Sequence, residues 1–141
     1  MNERYLYRAK RIDNGEWVQG YYTYYPNGLY AEGIIVHVIR DTSDYPGRLE
    51  LYSVDPSTIC QCTGLTDKNG KLIWENDILL GHLDDNYPDD ATYVEVNWRR
   101  NGFYTREKGS NDVDEIDAFT EQNFEVCGNV FDNPELLEQE G

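Results

Sequence analysis

The chain has 141 residues, and 27 acidic against 12 basic side chains leave a formal charge of −15. That length suits one domain or two small ones with a real core, and a field of that sign repels phosphate backbones. The charge is uneven: residues 1–60 hold 8 acids and 6 bases, whereas residues 61–141 hold 19 acids and 6 bases. The second half is therefore not expected to bind nucleic acid directly; it suits a basic partner, a cation or simple solubility. Cys60, Cys62 and Cys127 are too few, and odd in number, for a disulfide scaffold. No apolar leader opens the chain and no run of about 18 apolar residues occurs. The expected setting is a reducing cytoplasm, with no membrane contact.

Residues 5–10 read as a strand, and Asp13, Asn14 and Gly15 as a turn. Residues 16–24 follow with Trp17, Gln19, Tyr21 and Thr23 on one face and Val18, Tyr22 and Tyr24 on the other. The two strands form an expected N-terminal hairpin. Pro26, Asn27 and Gly28 break the chain. Residues 33–40 are the most β-branched run and the expected central strand. Residues 41–47 are a polar loop, residues 49–54 another strand, and Asp55, Pro56 and Ser57 a turn.

Beyond Cys62 the texture changes. Asp67 can accept backbone hydrogen bonds at the start of a turn, and Gly70 can take its left-handed position. Leu72 to Trp74 and Ile78 to Leu80 flank Glu75, Asn76 and Asp77, which implies a sharp corner between short strands. Residues 81–90 form an acidic loop. Residues 93–98 alternate cleanly, with Tyr93, Glu95 and Asn97 opposite Val94, Val96 and Trp98. A turn at residues 99–102 leads to a return strand at 103–106. Residues 107–118 are expected to be irregular, and 124–131 to form a last strand. Asn133 as a cap, Pro134 at the first helical position, Glu135 and the apolar Leu136 and Leu137 predict a short C-terminal helix, the only good helix signal in the chain.

Several side-chain groupings bear on chemistry. Cys60 and Cys62, with Cys127 and His37 or His82, offer four zinc ligand types, but a zinc turn spaces its cysteines more widely. Asp84, Asn86, Asp90 and Glu95 fall at calcium-loop positions one, three, seven and twelve. Asp89, however, stands where that loop demands Gly. There is no Gly-rich phosphate loop, no nucleophile elbow, and no base and nucleophile at motif spacing. No cofactor, metal or catalytic residue is expected, and the chain reads as a non-enzyme. Gly64, Asp67, Asn69, Gly70, Asn76 and Asp77 read as turn architecture. Interaction surface is expected at Trp17, Tyr21, Tyr22 and Tyr24, and at Asp84, Asp85, Asp89 and Asp90.

In order along the chain stand Tyr7-Arg8-Ala9-Lys10-Arg11, then Asn14-Gly15-Glu16-Trp17-Val18-Gln19-Gly20-Tyr21. The segment from Val54-Asp55-Pro56 through Gly64-Leu65-Thr66-Asp67 to Gly70-Lys71 follows, continuing as Ile73-Trp74-Glu75-Asn76-Asp77-Ile78. Val126-Cys127-Gly128-Asn129 through Asn133-Pro134-Glu135-Leu136-Leu137 closes the series. This series resembles the YopX-like proteins of bacteriophages and prophages over nearly the whole chain. The family usually has an aromatic residue where Cys62 stands and Gly where Asn76 stands. Asn tolerates left-handed backbone, so the second change is mild.

The resemblance implies a mostly-β fold of coiled, bent antiparallel sheets, phage or prophage origin and self-association, and it implies no activity. The C-terminal half is similar to an SH3-like small barrel. The expected division is an N-terminal β subdomain at 1–60 and an acidic, barrel-like one at 61–141 ending in the helix. Two functions fit. The first is an interaction or assembly module that forms a homo-oligomer in the bacterial cytoplasm. The second is an acidic decoy for a basic host nucleic-acid-binding protein, using Asp84, Asp85, Asp89, Asp90, Asp112, Asp114, Glu115 and Asp117.

Overall fold

The structure, a computed structural model, describes residues 6–23, 34–39, 48–84, 86–87, 89–99 and 102–138. The expected break at 26–28, the loop at 41–47 and residues 100–101 of the hairpin turn lie outside them. The chain divides into two compact units, Met1–Cys62 and Thr63–Gly141. Both are mostly β.

In the first unit, β1 (Tyr7–Lys10) pairs antiparallel with β2 (Trp17–Thr23), Lys10 opposite Trp17 and Tyr7 opposite Gly20. The predicted turn makes this hairpin: Gly15 sits at φ 72° and donates to the Arg11 carbonyl at 2.9 Å. The Asn14 side chain accepts from the Glu16 N–H at 2.9 Å. The β-branched run is β3 (Ile34–Ile39), lying between β2 and β4 (Arg48–Ser53) as expected of a central strand. After β4 the sheet meets its own start: Arg11 and Val54 form an antiparallel bridge, and the Ile12 N–H donates to the Ser53 carbonyl at 3.0 Å. Coiling lets Ala9 and Val54 be wholly buried, with Tyr7, Val18, Tyr22, Tyr52 and Ile59 packed around them. Asp55 then caps a single 3-10 turn, Pro56–Thr58, by accepting from the Ser57 N–H at 3.0 Å. β5 (Cys60–Thr66) begins beside β1, with Arg8 opposite Cys60, and runs on into the second unit.

In the second unit β6 (Leu72–Trp74) lies next to β5. A five-stranded antiparallel sheet follows, built from β7 (Asp77–His82), β8 (Ala91–Arg99), β9 (Gly102–Glu107), β10 (Val113–Glu115) and β11 (Phe124–Asn129). Its order is β10-β9-β8-β7-β11. Ile73, Leu79, Val94, Val96 and Phe124 form the core, with Phe103, Ile116, Phe119 and Val126 against it. The alternation read in residues 93–98 is what puts Val94 and Val96 inside. Among the described residues no pairing joins β10 to β11, so the expected SH3-like barrel is not closed by these strands.

Two expectations are corrected. The stretch read as irregular contains β10 and leads into a helix, α1 (Ala118–Asn123). Asp117 caps α1 in a reciprocal box: its carboxylate accepts from the Thr120 N–H at 3.2 Å, and Thr120 Oγ1 accepts from the Asp117 N–H at 3.4 Å. Thr in place of the usual Glu or Gln concealed that signal. The predicted C-terminal helix is only one 3-10 turn, Pro134–Leu137, and Asn133 does not cap it. The Asn133 side chain instead turns back to accept from the Asn129 N–H at 3.3 Å, while Asn129 Oδ1 takes the N–H groups of Phe131 and Asp132. These bonds also end β11 at Asn129, two residues before the expected end.

A buried carboxylate fastens the second unit. Asp67 is 5% exposed. Its Oδ1 accepts from the N–H groups of Asn69 and Lys71 at 2.9 Å each, and its Oδ2 from Val126 at 2.8 Å on β11. Gly70, at φ 83°, lets the turn close beneath it. Burial pushes the Asp67 pKa up, and the three backbone donors more than offset this, leaving it below the ordinary carboxylate value. Nearby, the Asp77 carboxylate, 1% exposed, accepts from the Trp74 N–H at 2.8 Å across the corner where Asn76 takes φ 70°.

Two measurements test this frame. A Cβ on Gly81 would lie 2.5 Å from the Asn123 carbonyl oxygen and 2.7 Å from the Phe124 ring, whereas one on Gly102 would meet nothing within 4 Å. Denaturant unfolding should show Gly81→Ala losing about 1–3 kcal/mol, and Gly102→Ala much less. Because folding lowers the Asp67 pKa, its contribution is present above the unfolded carboxylate range and is lost as pH falls through the lower folded value. Asp67→Asn should cost about 1–3 kcal/mol at pH 7 and flatten the acid limb of the stability curve. An unchanged acid limb would contradict the assignment.

Candidate functional site

The residues singled out as turn architecture sit at corners of the second unit: Gly64 at φ 80° within β5, Asp67 and Gly70 in one turn, and Asn76 and Asp77 in the next. Their polar atoms meet backbone. Asn69 also reaches Glu125 at 3.3 Å. Asn76 donates its N–H to the Val96 carbonyl at 2.8 Å and accepts at its carbonyl from Val130 at 2.9 Å, tying β8 to the chain after β11.

The cysteines point elsewhere than to a shared centre. Cys60 and Cys62 are wholly buried, and the Cys60 thiol donates to the Thr58 carbonyl at 3.3 Å. The Cys127 thiol donates to the Ile78 carbonyl at 3.3 Å, and burial, then the Glu125 charge, push its pKa up. Such a thiol is a poor nucleophile. Among the described residues no three His, Cys, Asp or Glu side chains are grouped to hold a metal ion. No helix among them is long and apolar enough to cross a membrane.

The expected aromatic surface of the first unit is split by the strand alternation. Tyr21 is exposed, whereas Tyr22 turns into the core, its ring 5.9 Å from that of Tyr7. Trp17 is half-buried, with the Arg8 guanidinium 4.8 Å and the Lys10 ammonium 5.5 Å from its ring centroid. Tyr24 lies outside the described residues. Exposed Ile12 and Leu51 line a separate shallow hollow with Arg11, Asp13 and Tyr52.

The second unit brings the acids together around an apolar residue that the sequence reading passed over, Leu83, which is 41% exposed. Two cavities share it. One, of about 450 Å³, is lined by Asp84, Tyr87, Asp90 and Glu107. The other, of about 390 Å³, is bounded by Thr105, Phe119 and Phe124, with Asp114, Glu115 and Asp117 on its rim. Among the described residues no cation lines either. The loop is built by its own acids: Asp84 Oδ1 accepts from the Asn86 N–H at 2.9 Å, and the Asp84 carbonyl accepts from the Tyr87 N–H at 2.9 Å. That turn holds Tyr87 out at 62% exposure. Phe119 is braced by His82, edge to face at 5.8 Å. Asp89 is exposed but lines neither cavity, and Asp85 lies outside the described residues.

The arrangement groups carboxylates around Leu83, with Tyr87 and Ala91 in one hollow and Phe119 beside Thr105 and Thr120 in the other, without a nucleophile–base pair. It suits a ligand that carries positive charge beside an apolar group. Charge counting along the chain found the acids. Leu83, Tyr87, Glu107 and Phe119 escaped it because they come from three separate elements.

The fold has a solved counterpart. The crystal structure of protein EF1440 from Enterococcus faecalis superposes with a TM-score of 0.53 at 23% identity, covering 94% of this chain and 96% of that one. At that identity the likeness speaks for the fold alone. No curated protein matches the chain. The family model described as YopX protein matches residues 6–138, and the chain belongs to the YopX family.

Proposed function

We propose that the protein is a non-enzymatic binding module whose second unit takes a basic segment of a protein partner in the acid-rimmed hollows on either side of Leu83. One observation carries the reading. Six carboxylates and no cation line two cavities that meet at an exposed leucine, with Phe119 and Tyr87 beside it. Carboxylates alone are the ordinary dress of a solvated surface. Carboxylates around large exposed apolar side chains are the composition of a docking site, because desolvation strengthens each charge contact. The setting fits a phage or prophage product acting in the bacterial cytoplasm. A basic host nucleic-acid-binding protein is one partner of the right chemistry, and there the acids would stand in for phosphates.

A second reading, self-association into an assembly, is favoured by apolar side chains left exposed on both units. Ile12 and Leu51 are 53% and 57% exposed on the first, and Trp98 is 49% exposed on the second.

The binding reading is tested by calorimetric titration with a short Lys- and Arg-rich peptide carrying one leucine or phenylalanine. Binding should weaken steeply with salt. Replacing Asp114 and Glu115 with Asn and Gln should cost about 0.2–1 kcal/mol each, and Leu83→Ser should weaken it further. Equal loss on neutralising Glu135 and Glu138 in the C-terminal segment would show that only net charge is felt and would overturn the site.

A further inference from the structure

The first unit carries little of the acid. Residues 1–60 hold 8 acids against 6 bases, whereas residues 61–141 hold 19 against 6. The β1–β2 hairpin also sorts its side chains between its two faces. Tyr7, Ala9, Val18 and Tyr22 lie on the face that builds the core. Register sets Lys10 opposite Trp17 and Arg8 opposite Gln19, so the alternate positions Arg8, Lys10, Trp17, Gln19 and Tyr21 share the other face. Two of these are cations, two are aromatic, and none is an acid. The acids of the hairpin, Asp13 and Glu16, stand in its turn, and Asp13 is paired with Arg11.

The two cations are held in place. The Arg8 guanidinium lies 4.8 Å and the Lys10 ammonium 5.5 Å from the Trp17 ring centroid. Stacking on the indole orders both side chains on this face, so a ligand that meets them removes less side-chain freedom. Arg and Lys are the side chains that receive phosphate, the first through a planar fork and the second as a point charge. Further along β2, Gln19 is exposed and Tyr21 is 38% exposed. Alternate residues of a strand stand about 6.7 Å apart, so Trp17, Gln19 and Tyr21 span about 13 Å. The line has charge at one end, an amide that can donate and accept in the middle, and an exposed ring at the other end. An extended single strand of nucleic acid offers the matching groups: phosphates, base edges and flat base faces. A duplex keeps its base faces inside the stack, and a lipid surface brings phosphate without a ring.

We propose that this face of the β1–β2 hairpin binds single-stranded nucleic acid, with phosphates at Arg8 and Lys10, a base edge at Gln19 and a base stacked on Tyr21. The face lies on the less acidic unit, and salt at physiological strength screens exposed charges beyond about 8 Å. Stacking tolerates any base, so the face selects strandedness and not base order. The inference goes beyond the binding reading above, which concerns the second unit.

Fluorescence anisotropy of a labelled oligodeoxythymidylate titrated with the full chain at low salt tests it. The strand should bind, and its affinity should fall with added salt. Tyr21→Ala should weaken binding roughly 5- to 100-fold, whereas Tyr21→Phe, which keeps the ring, should bind like wild type. Lys10→Gln should lower the slope of log affinity against log salt by about 0.7, with circular dichroism confirming that each variant is folded. Inorganic polyphosphate should compete poorly, since it brings charge without bases. No binding of the strand, wild-type affinity in Tyr21→Ala, or polyphosphate competing as well as the strand would each overturn the proposal. Capture of the chain by phosphatidylglycerol vesicles without binding of the strand would overturn it in favour of a membrane surface. Asp114→Asn combined with Glu115→Gln should not weaken binding of the strand; weakening there would contradict its placement on the first unit.

Discussion

The second unit depends on a nearly buried carboxylate. Asp67 gathers three backbone N–H groups, two from its own turn and one from Val126, 59 residues further on. A buried charge is tolerable only when donors replace its water, and here the donors are the backbone itself. The bonds therefore do two jobs. They close the turn between β5 and β6, and they set β11 against it. Asp77 repeats the device on a smaller scale at the next corner. With those corners fixed, β7 can run between β8 and β11 and bury Leu79 against Val94, Val96 and Phe124.

The same frame decides what stays outside. β7 ends at His82, and the chain must turn over a polar loop before β8 begins at Ala91. Leu83 is left at the rim of the core. α1, capped by Asp117, brings Phe119 to His82. The acids that cap the loop and the helix, Asp84 and Asp117, also line the hollows. Turn-building and surface charge are thus partly the same residues. A partner would meet a shape that the fold already holds in place, which lowers the ordering cost of binding.

Much of this was legible in the sequence. Asn14-Gly15, the β-branched run from Ile34 and the alternation through Val94 and Val96 each specify a strand or turn through local physics alone. The family was legible too, because its turn residues stand in order along the chain. What escaped reading depended on partners distant in sequence. The α1 cap uses Thr120 where pattern reading looks for Glu or Gln. Asn133 looks like a helix cap but is occupied by Asn129, inside a segment whose 3-10 turn is only four residues long. Tyr21 and Tyr22 look alike in sequence, yet alternation sends one to solvent and the other to the core. Leu83 stands in the stretch read as an acidic loop, but nothing in the sequence places Phe119 and the acids of β10 beside it.

The central claim is that positive charge is received at one shaped place and not by the acidic surface at large. Amide chemical-shift mapping of the isotope-labelled chain during titration with a basic peptide tests this most directly. The account predicts shifts concentrated in residues 83–92 and 105–120, around Leu83 and Phe119. Shifts spread evenly over the acids of both units, reaching Asp13, Asp55 and Glu135 as strongly as Asp114, would contradict it.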